Sequence, residues 1–193
     1  MTRFTAAGYN ETKMEPLPAR SERRIARPVE RWLYALVFRA EEDAFARALL
    51  QHLVKVAFVA IAIERRSGGT RLLDAARAAA VRFGRHRAPI LRDDLGLDVN
   101  DVADMGRLQD WEDRVFGVTG HWTLRTRTRA TKCETACPFA GIAKHAPEIC
   151  TDVVHALETA TFRELNPRYR LVPLERLLSK GASACEFRHE LEE

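Results

Sequence analysis

Between Glu41 and Arg66, apolar residues recur every three or four positions. Phe45, Leu49, Leu53, Val56, Ala60 and Ile63 fall on one face of a helix. The spacing predicts a helix that turns this stripe to the core and stops at Ser67-Gly68-Gly69. Upstream, "PVERWLYALVFRA" opens with Pro28, a first-turn residue, and then becomes apolar. Downstream, "TRLLDAARAAAVRFG" reads as a second helix, with Thr70 as N-cap and Gly84 as C-cap. "HRAPILRDDLGLD" reads as a connector with a short helical piece. "VNDVADMGRLQDWEDRVFG" predicts a third long helix with Val102, Met105, Leu108, Trp111 and Val115 as its buried stripe.

The period changes near Gly117. "GHWTLRTRTRATKCETA" alternates as a strand does, with threonine at every second position in its middle. Trp122, Leu124, Thr126 and Thr128 take one face; Arg125, Arg127, Arg129, Thr131 and Cys133 take the other. A helix follows in "APEICTDVVHALETATFRELN", with Pro147 in its first turn and Asn166-Pro167 as its stop. "YRLVPLERLLSKG" and "ACEFRHELE" read as two strands joined at "SKGAS", and Pro173 marks the first as an edge or bulged strand. The expected fold is α+β: N-terminal helices packed with a C-terminal antiparallel sheet and one further helix. One domain is expected over 26–193, helical over 26–117 and strand-rich over 118–193. A polar, proline-containing arm, residues 1–25, precedes it.

Composition narrows the classes. The 193 residues are 46% hydrophobic and 30% charged, enough for an ordinary globular core. The first residues hold no apolar signal region, and the most apolar run, Val54 to Ile63, is too short to span a bilayer and contains Lys55. A cytoplasmic protein without a membrane segment is expected. The net charge of +4 comes from scattered arginines and no nucleic-acid motif accompanies it, so nucleic-acid binding is disfavoured. Dinucleotide, P-loop, H-E-x-x-H and G-x-S-x-G motifs are absent.

The candidate chemistry lies in the thiols. Three of the four cysteines fall within "CETACPFAGIAKHAPEIC", and Cys185 follows 35 residues after Cys150. In a reducing compartment this usage suggests metal or catalysis more than disulfides. Cys137 stands at a strand end, Cys150 in the first turns of a helix and Cys185 on an inward strand position. The three are expected to converge between helix and sheet. The helix N-terminus would lower the Cys150 pKa. Free cysteine is also a good core residue, so packing alone is the bland alternative.

"CPFA" at Cys137 to Ala140, Cys150 closing "APEIC", "LNP" at Leu165 to Pro167, and "G…CEF" from Gly181 to Phe187 resemble the L-2-amino-thiazoline-4-carboxylic acid hydrolase family. More distantly they are similar to 4-vinyl reductase-type ligand-binding domains. "AARAAAVRFGRHRA" resembles a helix of the same family, and Cys133 lies outside the pattern. The resemblance implies opening of a cyclic C=N bond in a small sulfur heterocycle at Cys137, Cys150 and Cys185. The alternative it allows is a non-catalytic small-molecule or metal-sensing module.

Two routes to ring opening stay open. One of the three cysteines attacks as a thiolate and is displaced by water. Otherwise the three ligate a metal, zinc or iron, that delivers hydroxide. His145, between Cys137 and Cys150, is the preferred base; Asp152 and His155 read better as a surface pair. His189 is either a buried histidine or a fourth ligand. Arg125, Arg127 and Arg129 are candidates for a substrate carboxylate, against the alternative of a solvated sheet face. The expected partner is a small-molecule substrate, and a homo-oligomer is allowed.

Overall fold

A computed structural model of the chain describes residues 28–192, so the expected N-terminal arm, residues 1–25, lies outside the described residues. The chain begins there with α1, Pro28–Arg39, and turns into α2, Ala44–Arg66. Asp43 caps α2: its carboxylate accepts the N–H groups of Phe45 and Ala46 at 2.8 and 3.1 Å.

The face of α2 that enters the core differs from the expected stripe. Ala46, Leu50, Ile61 and Ala62 are buried, whereas Phe45 is 77% exposed, Ile63 60% and Val56 55%. Leu49 and Leu53 of the expected stripe pack half-buried against the core beside this face, while Phe45, Val56 and Ile63 turn outward. By length and composition α2 is apolar enough to cross a membrane. In this fold it packs against α1, α3, α4 and the short helix α5, Ala140–Ala143.

Helix α3 spans Arg71–Leu95 and runs straight through Gly84, the expected C-cap; its actual cap is Gly96 at φ 61°. Gly84 serves packing instead. A Cβ there would stand 2.7 Å from the Leu157 carbonyl oxygen, so the missing side chain lets α3 and α6, His155–Leu165, approach closely. Helix α4, Val102–Phe116, matches its reading: Val102, Met105, Leu108, Trp111 and Val115 are all buried, and Gly117 ends it at φ 72°.

The long alternating stretch is a hairpin and not one strand. β1, Thr119–Arg125, and β2, Arg129–Ala136, pair antiparallel. No Gly, Pro or Asn marks the turn; Thr126 closes it, bonding Arg129 through both backbone and hydroxyl. β3, Tyr169–Leu171, is a short edge strand that stops before Pro173, and β4, Cys185–Leu191, lies inside the sheet. The order is β1-β2-β4-β3, all antiparallel. The architecture is therefore α+β. Leu50, Leu91, Leu108 and Trp111 of the helices share a core cluster with Ala130, Tyr169 and Phe187 of the sheet.

Candidate functional site

Three local features open a cavity between α4, α6 and the sheet. First, α6 is entered through a π-helical turn, Ile149–Val154, whose wider backbone spacing is uncommon and often accompanies function. Cys150, Val153, Val154, Leu157 and Glu158 then all reach the cavity wall. Second, "CPFA" turns the chain off the end of β2, setting Cys137, Phe139 and Ala140 on the wall. Third, a 3-10 turn, Leu178–Lys180, closes one side beside Cys150 and Cys185.

The cavity encloses about 250 Å3. Phe58, Phe116 and Phe139 form an aromatic corner in which Phe139 meets the other two rings edge-on, at centroid distances of 5.6 and 6.3 Å. Val54, Leu157 and Phe187 add aliphatic and aromatic surface.

Cys137, Cys150 and Cys185 line this one cavity, as their placement in the sequence suggested, and Cys133 does not. All four cysteines are free. Two of the three sulfurs accept a hydrogen bond: Leu178 N–H donates to Cys185 Sγ at 3.3 Å and Ser179 Oγ–H to Cys150 Sγ at 3.5 Å.

Their protonation differs from the expectation for Cys150. Burial raises its thiol pKa, and the Ser179 hydroxyl bonded to it offsets this only in part. Burial also pushes Cys137 up to about 11 and Cys185 up to about 12, with the nearby Glu134 carboxyl adding to both. Protonated thiols are poor nucleophiles and poor metal ligands. Among the described residues, no group of three or more His, Cys, Asp or Glu side chains is placed to hold a metal ion. For the zinc or iron considered from the sequence, no such ligand group stands assembled among the described residues.

The remaining candidates lie elsewhere. His145 is exposed and off the cavity wall, because the loop before the π-helical turn directs it to solvent. Arg125, Arg127 and Arg129 are exposed at the hairpin's far end, and Arg125 stacks over Trp122 with its guanidinium 5.2 Å from the ring centroid. His189 is a buried histidine: Tyr169 Oη lies 2.7 Å from its Nδ1, and burial drives its pKa down to about 3. Asp152 and His155 are half-buried and outside the cavity.

The polar wall was missed in the sequence. Gln109, Glu112 and Asp113 from α4, Glu134 from β2 and Glu158 from α6 all line the cavity. Lys132 Nζ lies 2.7 Å from both Asp110 and Asp113. Arg87, fully buried, ion-pairs with Glu112, stands 4.0 Å from Glu158 and donates to Thr161 Oγ1 at 2.9 Å. Glu134 has no cation of its own; it accepts from Gln109 Nε2 at 3.2 Å. Burial first, then the Asp113 charge, raises the Glu134 pKa to about 8, while burial raises Asp113 to about 6. Glu158 is raised well above the ordinary carboxyl range by burial and by Glu112 beside it. The signal for these residues was periodic: Gln109, Glu112 and Phe116 ride the same side of α4 as Met105, and Glu134 shares the buried face of β2 with Ala130 and Lys132.

No protein-family model matches the chain, and no curated protein matches it. A solved structure does resemble the fold. It is that of a trafficking protein particle complex subunit 3 from Naegleria fowleri, covalently bound to palmitic acid. The TM-score is 0.56 at 10% sequence identity, over 76% of this chain and 97% of that one. At that identity the likeness establishes the shared α+β fold.

Proposed function

We propose that this protein is a binding module for a compact, mostly apolar small molecule held in the cavity between α4, α6 and the sheet. The observation that carries this reading is the cavity itself: concave, aromatic-cornered and almost wholly apolar in surface. Its volume of about 250 Å3 lies just below the roughly 300–1,000 Å3 usual for drug-sized ligands. That favours a compact ring over a full-length acyl chain. The structural neighbour, bound to palmitic acid, supports the idea that such a fold can house an apolar ligand.

A binding assay with ethylbenzene, followed by ligand-observed NMR, tests the reading. Wild type is expected to bind, and Val154→Phe, which fills the cavity, to lose at least about tenfold in affinity, about 1.4 kcal/mol. Cys137→Ser, Cys150→Ser and Cys185→Ser should keep binding within a few-fold. Wild type that ignores the probe, or a Val154→Phe variant that binds it as well, overturns the proposal.

Hydrolysis of a thiazoline ring is the second proposal. What favours it is that three thiols line one cavity. It predicts turnover of L-2-amino-thiazoline-4-carboxylic acid that each of the three serine variants abolishes. Cytoplasmic placement is part of the same proposal set and rests on four unpaired thiols. Self-association is also part of it and rests on the outward stripe of α2.

A further inference from the structure

We propose that a second, polar hollow at the end of the sheet binds a small phosphomonoester that also carries an ammonium group. The hollow shares no lining residue with the apolar cavity, so this goes beyond the binding reading above and stands independently of it.

The hollow lies where the β1–β2 turn, the entry to α4, the segment entering β3 and the end of β4 meet. Asn100, Arg127, Thr128, Arg168 and Glu192 line about 320 Å3 of space there. Hydrogen bonds between the four segments fix its frame. Val102 N–H donates to the Arg127 carbonyl at 2.8 Å, Leu191 N–H to that of Thr128 at 2.9 Å and Glu192 N–H to that of Arg168 at 2.9 Å. Asn166, only 5% exposed, ties two walls together. Its Nδ2 donates to the Val99 carbonyl at 2.8 Å and its Oδ1 accepts from Arg168 N–H at 3.0 Å. The backbone that carries Arg127 and Arg168 is thus held in place before a ligand arrives, which lowers the ordering cost of binding.

The charges in the hollow are complementary to a phosphate with an ammonium beyond it. Arg127 and Arg168 both line it, and neither guanidinium has an ion-pair or hydrogen-bond partner among the described residues. A guanidinium stays charged and grips phosphate oxygens in pairs. Two of them match the nearly double charge of a phosphomonoester above pH 7. A carboxylate, with one charge, would answer only one of them. The Thr128 hydroxyl and the Asn100 amide add neutral donors on the same wall. Glu192 decides the rest of the ligand. Its carboxylate lines the hollow too, yet no guanidinium nitrogen comes within 4.0 Å of it to form an ion pair. A bare phosphate would be repelled by that carboxylate, whereas an ammonium on the ligand gives it a counter-charge.

Calorimetry on wild type at pH 7.5 tests this, at low ionic strength because Arg127 and Arg168 are exposed and salt screens them. O-Phosphoethanolamine is expected to bind at least about tenfold more tightly than ethanolamine and about threefold more tightly than ethyl phosphate. Arg168→Gln should weaken it at least about fivefold. Glu192→Gln should erase the preference over ethyl phosphate. Both side chains are exposed, so unchanged thermal melts are expected to show both variants folded. O-Phosphoethanolamine that binds no more tightly than ethanolamine, or as well to Arg168→Gln as to wild type, overturns the proposal. Ethyl phosphate bound as tightly as O-phosphoethanolamine overturns the ammonium assignment. Glycerophosphoethanolamine, a phosphodiester with one negative charge, should bind more weakly. Equal affinity for it would make a lipid headgroup the ligand and overturn the monoester. Ethylbenzene binding at the apolar cavity is independent of each result, so the two readings fail separately.

Discussion

At the scale of single residues, Glu134 shapes the pH behaviour, with the raised Glu158 acting in the same direction. Its carboxyl titrates near 8 in the fold and near 4.3 in an unfolded chain, so the folded state holds the extra proton between those values. Stability therefore falls as pH rises through that window, by up to a few kcal/mol. His189 works the other way. Titrating near 3 when folded and near 6.5 when unfolded, it makes stability rise with pH up to about 6.5 and then stop contributing. Asp113, raised to about 6, adds a loss that is complete not far above that pH. From about pH 6.5 to 8 the Glu134 effect is thus least opposed. Thermal melts at pH 6.5 and 8.5 should show the protein less stable at the higher pH. Glu134→Gln should shrink that drop and melt higher than wild type at pH 8.5. A Glu134→Gln variant with the same pH profile as wild type would show that the proton sits on another group.

The thiols titrate on the same logic. With Cys137 near 11 and Cys185 near 12, about one thiol in a thousand or fewer is ionised at pH 8. Iodoacetamide labelling of their peptides, read by mass spectrometry at that pH, is expected to run on the order of a hundredfold slower for Cys137, and a thousandfold for Cys185, than for an ordinary thiol of pKa 8.5. Rapid labelling of Cys137 at pH 7 would restore the nucleophile to consideration.

At the scale of elements, what was legible followed periodicity and what was hidden followed packing. The stripe of α4, the close of the last helix at Asn166-Pro167 and the inward positions of Cys150 and Cys185 could be read from spacing alone. The hairpin at Thr126 could not, because a hydroxyl closes it where no usual turn residue stands. The carboxyl wall was hidden for a related reason: a charged residue reads as surface until a partner such as Arg87 or Lys132 is seen behind it. Gly84 shows packing overriding local preference most directly. Inside an exposed helix, Gly→Ala gains about 0.8–1 kcal/mol from propensity. Here the added methyl meets backbone, the Leu157 carbonyl oxygen at 2.7 Å, and a backbone atom cannot swing aside. Overpacking of this kind costs about 1–3 kcal/mol and wins. Gly84→Ala is expected to lower the urea midpoint; a variant as stable as wild type would mean that α3 and α6 separate easily.

At the scale of the whole molecule, the exposed side of α2, a neighbour of the expected stripe, becomes the feature to explain. Phe45, Leu49, His52, Val56, Val59 and Ile63 follow one another at steps of four, three, four, three and four, the seam of two packed helices. Four of them are large and well exposed: Phe45, Val56, Val59 and Ile63. A contiguous apolar face of this kind marks an interface. Lys55, halfway along α2, argues against a bilayer as the occupant, since a charge there is costly in hydrocarbon. The ends argue for a second copy. Glu42 precedes the helix and Arg66 finishes it, both exposed, so two α2 helices running antiparallel place acid against base at both ends. Light scattering on the eluting protein should then report about twice the 21.9 kDa chain mass. Val56→Glu combined with Ile63→Glu buries two carboxylates at that seam and should return the mass to that of one chain, with ethylbenzene binding unchanged because neither residue lines the cavity. Wild type eluting at the mass of one chain would leave the α2 stripe without this partner.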